Sequence, residues 1–341
     1  MKAVMLHEPG KMELVELPDR EPGPGEVVVK VEACSICGSD LEGYHGLHPK
    51  ISFPRVMGHE TAGVVEAVGA GVAEVQVGDR VAGTGNKACE SCAACSAGHP
   101  DQCKNPGGAG FTTHGAYAER LVTRPQGLEL VPEGVSLEEA AVAQPVGIAN
   151  HAVMSRAEVQ EGETILVQGC GPIGLSAMML SKLRGARVIS TDIVDYRCRR
   201  GRELGADLAV NVHEEDLLAS IRDLTEGRGV DKVIECVGGD QDETLPQAVK
   251  GVKDGGLVVV VGSFAQDRAT IPIIDFKFSE KRIIGSQGMP EGYGGIFELI
   301  GSGELDVQPL ITHRMHLEEA HRGLQLMDVK GEEVMKIVLS P

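Results

Sequence analysis

The stretch TILVQGCGPIGLSAMMLSKLRGARVISTD, residues 164–192, narrows the possible folds more than any other part of the chain. TILVQ is an apolar, β-branched run of the kind that forms a buried strand, and LSAMMLSKLRGA is a helix-length apolar segment. Between them stands Gly169-Cys170-Gly171-Pro172-Ile173-Gly174, a G-x-G-x-x-G loop in the strand–loop–helix context that gives the motif its meaning. Its glycines allow a tight turn and let a pyrophosphate approach a helix N-terminus. Gly169, Gly171, Pro172, Ile173 and Gly174 are therefore expected at a dinucleotide. The next strand candidate ends at Asp192, eighteen residues beyond Gly174, where a carboxylate accepts bonds from an adenosine ribose and repels a 2′-phosphate. The combination favours NAD over a glycine-rich turn followed by an unrelated surface aspartate. Arg197, Arg199 and Arg200 keep a minor NADP option open, or form a solvated helix face.

The surrounding rhythm agrees with that loop. From residue 163 onward ETILVQ, ARVISTD, LAVN, DKVIECVG and GLVVVVG alternate with helix-length segments, as in a doubly wound parallel sheet. Val237, Gly262, Ser263, Ser286 and Gln287 follow strand ends and are candidates for the cofactor cleft, with plain turn residues as the alternative. Before residue 138 the chain instead shows short β-rich runs (MKAVML, KMELVEL, GEVVVKVEA, TAGVVEAVGAGV, GDRVAG) edged by Gly and Pro, the pattern of a twisted antiparallel, barrel-like domain. A helix is expected at VSLEEAAVAQPV, capped by Ser136 with Glu139 three residues on. After about residue 290 two amphipathic helices and a last strand follow. A length of 341 residues suits two domains.

Charge and cysteine count limit the partners. A formal charge of -18 without any basic cluster argues against nucleic acid, and no apolar run reaches the length of a membrane span. The nine cysteines cannot all pair with one another, and the first residues, MKAVMLHEPG, read as no secretory signal, so a reducing, cytoplasmic setting is expected. Cys89, Cys92, Cys95 and Cys103 form C-x-x-C-x-x-C-x7-C, a spacing that brings four thiolates onto one tetrahedral ion. Zinc is the natural occupant and would staple the loop without doing chemistry. An iron–sulfur cluster is the rival, although its usual run has a shorter last gap and a following proline. A second donor set comprises Cys34, Cys37 and Asp40 in CSICGSD, with His59 and Glu60 in GHE. Thiolate, imidazole and carboxylate together suit a zinc with an open position. A redox dithiol of Cys34 and Cys37, or a buried structural His59, is the alternative.

Taken in order, CSICGSD, GHETAGVVEAVGAGV with VGDRV, the four-cysteine lobe, QGCGPIGLSAMMLSKLRGA, Asp192 and ELGADLAVN resemble the zinc-dependent medium-chain alcohol and polyol dehydrogenases over essentially the whole chain, nearest the sorbitol, threonine and butanediol branch. The resemblance implies an α/β protein. A GroES-like catalytic domain over 1–150 would carry the structural zinc lobe (89–103), a Rossmann domain would span 151–289, and 290–341 would return to the catalytic domain. It implies NAD, two zincs per subunit and a small alcohol or polyol substrate. It also implies a homo-oligomer, tetramer before dimer. Threonine-like amino-alcohol oxidation, or a cofactor-binding relative without the catalytic zinc, is the alternative. Cys37, His59 and Glu60 match the catalytic metal ligands, and Ser39 matches the hydroxyl that takes the alcohol's proton. Tyr44, Phe111 and His114 match positions of the substrate pocket. Two departures stand out. Gln144 occupies a position where the branch generally has a glutamate near the zinc, and Glu42 stands where many relatives place a proton-passing histidine, with His45 close by.

Overall fold

The computed structural model describes residues 1–83, 92–98, 103, 108–239, 241–263, 265–329 and 333–341. The chain forms two compact units, one of residues Met1–Gln144 with Gly292–Pro341, the other of Pro145–Glu291.

In the first unit the strands are β1 (Lys2–Glu8), β2 (Lys11–Glu16), β3 (Val27–Ser35), β4 (Arg55–Val56), β5 (Glu60–Val68), β6 (Arg80–Gly83), β7 (Arg120–Thr123) and β8 (Leu128–Leu130). Helices α1 (Gly38–Tyr44), α2 (Ala93–Ser96) and α3 (Leu137–Asn150) lie between or after them. β1 pairs antiparallel with β2 and β4 in a small sheet. The larger sheet runs β15-β16-β3-β5-β6-β8, with β7 also on β3, where β15 (Ile311–His316) and β16 (Lys336–Ser340) come from the returning C-terminal segment. β3 is long and almost continuously buried because it is central, held by β5, β7 and β16 at once. Its β-branched sequence VVVKVEACS suits that place. At α3 the expected cap forms: Glu139 N donates to Ser136 Oγ (3.2 Å), and Ser136 N donates to Glu139 Oε2 (2.8 Å).

The second unit holds β9 (Thr164–Gln168), β10 (Arg187–Asp192), β11 (Leu208–Asn211), β12 (Val230–Glu235), β13 (Val252–Val260) and β14 (Arg282–Gly285). Its helices are α4 (Pro172–Leu183), α5 (Asp195–Glu203), α6 (Leu217–Thr225), α7 (Thr244–Gly251) and α8 (Ile273–Phe278). All five strand pairings are parallel, in the order β11-β10-β9-β12-β13-β14. The order reverses between β9 and β12, and it is at such a switch point that open α/β sheets bind ligands. The edge strand β14 and the parallel β15 were not among the strands read from sequence. The short α8 leaves Ile273, Ile274 and Phe278 exposed. The tail helices α9 (Ile296–Gly301) and α10 (Ala320–Asp328) belong to the first unit. Among the described residues no helix is long and apolar enough to cross a membrane.

Candidate active site

In the first unit, β3 ends at Ser35 and the chain turns at once into α1, with Cys37 as the residue preceding the helix in extended conformation. Asp40, three residues on, reaches back so that its Oδ2 accepts from Cys37 N (2.9 Å). The same carboxylate accepts from Tyr117 Oη (3.1 Å) and Gly58 N (3.3 Å), which ties the turn carrying Cys37 to the turn carrying His59. Gly58 has φ +90°, and a Cβ there would meet the Tyr117 ring at 2.5 Å, so this turn requires glycine. Donor atoms of Cys37, His59 and Glu60 come to lie within 4.8 Å of one another.

The polar accounting at this cluster points to a cation. His59 and Glu60 are buried, and neither His59 Nδ1 nor Glu60 Oε1 has a hydrogen-bond partner. Unpartnered polar atoms in a dry site are costly; a metal ion would satisfy Glu60 Oε1, while His59 Nδ1 faces Asp40 and leaves the other ring nitrogen for a cation. A thiolate, an imidazole and a carboxylate form a donor set that zinc accepts, with room for a further ligand. His59 Nδ1 lies 3.5 Å from Asp40 Oδ1, a carboxylate placed to orient the ring as outer-shell partners of metal-bound imidazoles do. Burial by itself would push the His59 pKa down, but Asp40 and then Cys37 outweigh it and raise it well above the ordinary value. Burial would likewise raise Asp40, yet the His59 charge and the bonds from Cys37 N and Tyr117 hold it below the usual carboxylate range. Glu60 Oε2 is occupied: it accepts from Ser35 Oγ and from the buried Lys336 Nζ.

Other sequence candidates fall at different distances from this cluster. Ser39 is half-buried in the first turn of α1. Gln144 is buried in α3, one turn after Ala141, whose carbonyl accepts a 3.4 Å bond from Ser35 Oγ. Phe111 packs its ring 4.6 Å from that of His59. Tyr44 and His114 are engaged elsewhere: Tyr44 Oη meets His321 Nε2 at 3.0 Å, and His114 Nδ1 accepts from Val56 N at 3.1 Å. Glu42 is exposed, and His45, also exposed, faces Asp328 at 3.2 Å. Cys34 is buried with its thiol pKa pushed well up by burial and then by Asp40, unsuited to a redox dithiol. Of the four-cysteine lobe, Cys92, Cys95 and Cys103 bring their sulfurs within 4.8 Å of one another; Cys89 lies outside the described residues.

In the second unit the loop after β9 meets its neighbours closely. Gly169 has φ +85°, and a Cβ on Gly174 would lie 1.7 Å from Gly169 O, so α4 leaves β9 only over a bare backbone. Gly171 precedes α4 and Pro172 opens it, with Ile173 next. A Cβ on Gly169 would touch Val237 Cγ2 at 3.0 Å and one on Gly262 would touch Val237 O at 2.0 Å. The ends of β9, β12 and β13 thus bring Gly169, Val237 and Gly262 together at the switch point. Ser286 is buried at the end of β14, its N donating to Val260 O (2.8 Å) and its Oγ unpartnered. Asp192 ends β10: Oδ2 accepts from Cys170 N (2.8 Å), and Oδ1 from Ile193 N (2.8 Å) and Val194 N (3.1 Å). Arg197 stands 3.8 Å from Asp192 Oδ2. Cys170 and Cys198 are buried packing residues, while Cys236 is half-buried.

Residues 23–133 match the alcohol dehydrogenase GroES-like domain and residues 172–301 the zinc-binding dehydrogenase domain. Over its whole length the chain is 31% identical to the sorbitol dehydrogenase of Halalkalibacterium halodurans, covering 99% of that protein. The chain belongs to the zinc-dependent medium-chain dehydrogenase family. An L-threonine 3-dehydrogenase of Pyrococcus horikoshii is 35% identical over 92% of the chain and 91% of its own length. A zinc-binding dehydrogenase of Sinorhizobium meliloti, solved with NADP bound, superposes with a TM-score of 0.90 at 31% identity, over 100% of this chain and 99% of that one. The protein is accordingly an oxidoreductase of the alcohol and polyol dehydrogenase type, with the GroES-like and Rossmann-type folds of that family.

Sequence reasoning counted Asp40 only within the donor motif, not as the residue facing His59, and gave no role to Tyr117, Ser35 and Lys336. For Asp40 a signal existed, since an acidic residue three after Cys37 is the spacing of a helix-capping pair. Nothing short-range marks the other three, whose partners lie far off in sequence.

Proposed function

We propose that this medium-chain dehydrogenase oxidises secondary alcohols or polyols with NAD, using one zinc at Cys37, His59 and Glu60 and a second, structural zinc at Cys89, Cys92, Cys95 and Cys103. The observation that carries the reading is the buried convergence of Cys37, His59 and Glu60 donors within 4.8 Å, with Glu60 Oε1 left unpartnered. Zinc held there would supply Lewis-acid polarisation of the substrate oxygen, and NAD would supply the hydride acceptor. The chain's own residues do the rest. Asp40 orients His59, Phe111 shields the ring from water, and Ser39 Oγ takes the proton lost by the alcohol. Gly169, Gly171, Pro172, Ile173 and Gly174 cradle the pyrophosphate, with Val237, Gly262 and Ser286 beside them. Asp192 receives the ribose hydroxyls, flanked by Arg197, and its charge favours NAD over NADP. The bare glycine contacts, and the open space beside Gly171, support this assignment.

Amino-alcohol oxidation is the second reading, favoured by the 35% identity to a threonine dehydrogenase. Lodging in the cytoplasm suits a chain whose zinc ligands must stay reduced. A homotetramer is the proposed assembly, and a monomer in sedimentation at micromolar concentration would refute it. The function itself is tested by zinc content. Two zincs per subunit in the parent should fall to one in Cys37→Ser. One zinc in both proteins would mean that no metal occupies the Cys37 site, and the proposed mechanism would fail.

A further inference from the structure

Three strands place three polar side chains on one face of the larger sheet of the first unit. Ser35 on β3 lies opposite Glu60 on β5 and opposite Val338 on β16; Lys336, two residues before Val338, shares its face. All three polar residues are buried, Glu60 completely and Lys336 at 2% exposure. Glu60 Oε2 accepts from both Ser35 and Lys336, and Lys336 Nζ donates also to Ile36 O (3.2 Å). Glu60 Oε1, on the same carboxylate, has no partner. A buried ion pair is weak evidence for stability, because removing two charges from water offsets their attraction. Its geometry here is one-sided: two donors fix one oxygen and leave the other without a hydrogen-bond partner among the described residues.

We propose that Lys336 is a positioning residue of the Cys37, His59 and Glu60 centre. With Ser35 it clamps Glu60 by Oε2, so that Oε1 alone is presented to a divalent cation. Its positive charge also offsets one of the two anionic ligands, at a site where Gln144 adds none. The cation is then held less tightly and remains more electrophilic. This inference rests on the reading that the trio binds zinc.

The test uses the full chain with zinc, and with cobalt in its place. Lys336→Met, Lys336→Arg and Ser35→Ala are compared for metal release to a chromophoric chelator and for the visible cobalt absorption, neither of which reads activity. Lys336→Met should release the ion from this site more slowly, by about tenfold or more, and its cobalt bands should weaken as Glu60 brings its second oxygen to the ion. Lys336→Arg should restore parent behaviour. If Lys336→Met fails to fold, Ser35→Ala removes half of the clamp and keeps the charge pair, and should still alter the cobalt bands. A folded Lys336→Met with parental release and spectrum overturns the proposal. So does a Ser35→Ala spectrum identical to the parent's when the methionine variant cannot be made, or equal changes in the Met and Arg variants. A parent that holds no ion beyond the cysteine lobe refutes the zinc reading itself and the clamp with it; no variant is needed to see that result.

Discussion

Replacing Glu235 by Gln should remove a pH dependence of stability that the native fold imposes on itself. Glu235 ends β12 fully buried, its Oε1 accepting from Thr244 Oγ1 (3.0 Å) and Val237 N (3.1 Å) while Oε2 has no hydrogen-bond partner among the described residues. Burial lifts its pKa from 4.5 to about 7, against the lowering effect of those hydrogen bonds. A carboxyl whose folded pKa is raised stabilises the fold fully below its unfolded pKa, and that contribution is lost as pH rises through 7. At about 1.4 kcal/mol per pH unit, the gap amounts to roughly 3 kcal/mol. About 2 kcal/mol of it falls between roughly pH 5.5 and 8, clear of the isoelectric point near 5.1. Glutamine keeps the oxygen that faces Thr244 and Val237 and places an uncharged amide where Oε2 stood. Hydrogen exchange of peptides spanning β12 and β13 reads this local stability, and the ratio of parent to variant at each pH cancels the intrinsic exchange chemistry. The ratio of parent to variant protection should fall about thirtyfold from roughly pH 5.5 to 8. A ratio constant within about twofold across that range would refute the argument that Glu235 is held protonated by burial.

Two further outcomes follow from the proposed cofactor loop. Gly174→Ala sets a methyl 1.7 Å from Gly169 O; because the obstacle is backbone, α4 must shift, and binding of NAD measured by calorimetry should weaken by about tenfold or more at an otherwise folded protein. Asp192→Ser removes the carboxylate proposed to repel a 2′-phosphate, and the ratio of NADP to NAD efficiency should rise by about tenfold; an unchanged ratio would refute that role for Asp192.

What could be read in advance, and what could not, divides by sequence distance. The G-x-G-x-x-G loop and the Ser136 and Glu139 cap announce themselves because every group involved lies within a few residues of its partner, and the strands TILVQ and VIST because their β-branched runs are local. The return of the tail was given only as what the family resemblance implies. Cys37, His59 and Glu60 were suggested by donor chemistry, but only the pairing of β3 with β5 shows that Glu60 offers one oxygen and not two. Lys336 sits in KIVLS, which reads as an ordinary strand with a solvent-facing lysine; its burial follows from pairing with a strand 300 residues earlier. β14 was missed because RIIG is four residues long and borrows its structure from the β13 edge.

The 276 residues that separate Glu60 from Lys336 also impose an order on biosynthesis. The second unit is one continuous segment, Pro145–Glu291, and lies wholly within that interval. At about 5–20 residues per second, a ribosome that has just released Glu60 takes tens of seconds to deliver β16. During that time the sheet around β3 lacks both of its parallel-paired strands, and Ser35 and Glu60 have no ammonium to face. The second unit has its entire sequence in hand before the first can complete its sheet. The surroundings of Glu60, where we propose that zinc binds, are therefore among the last parts of the nascent chain to close.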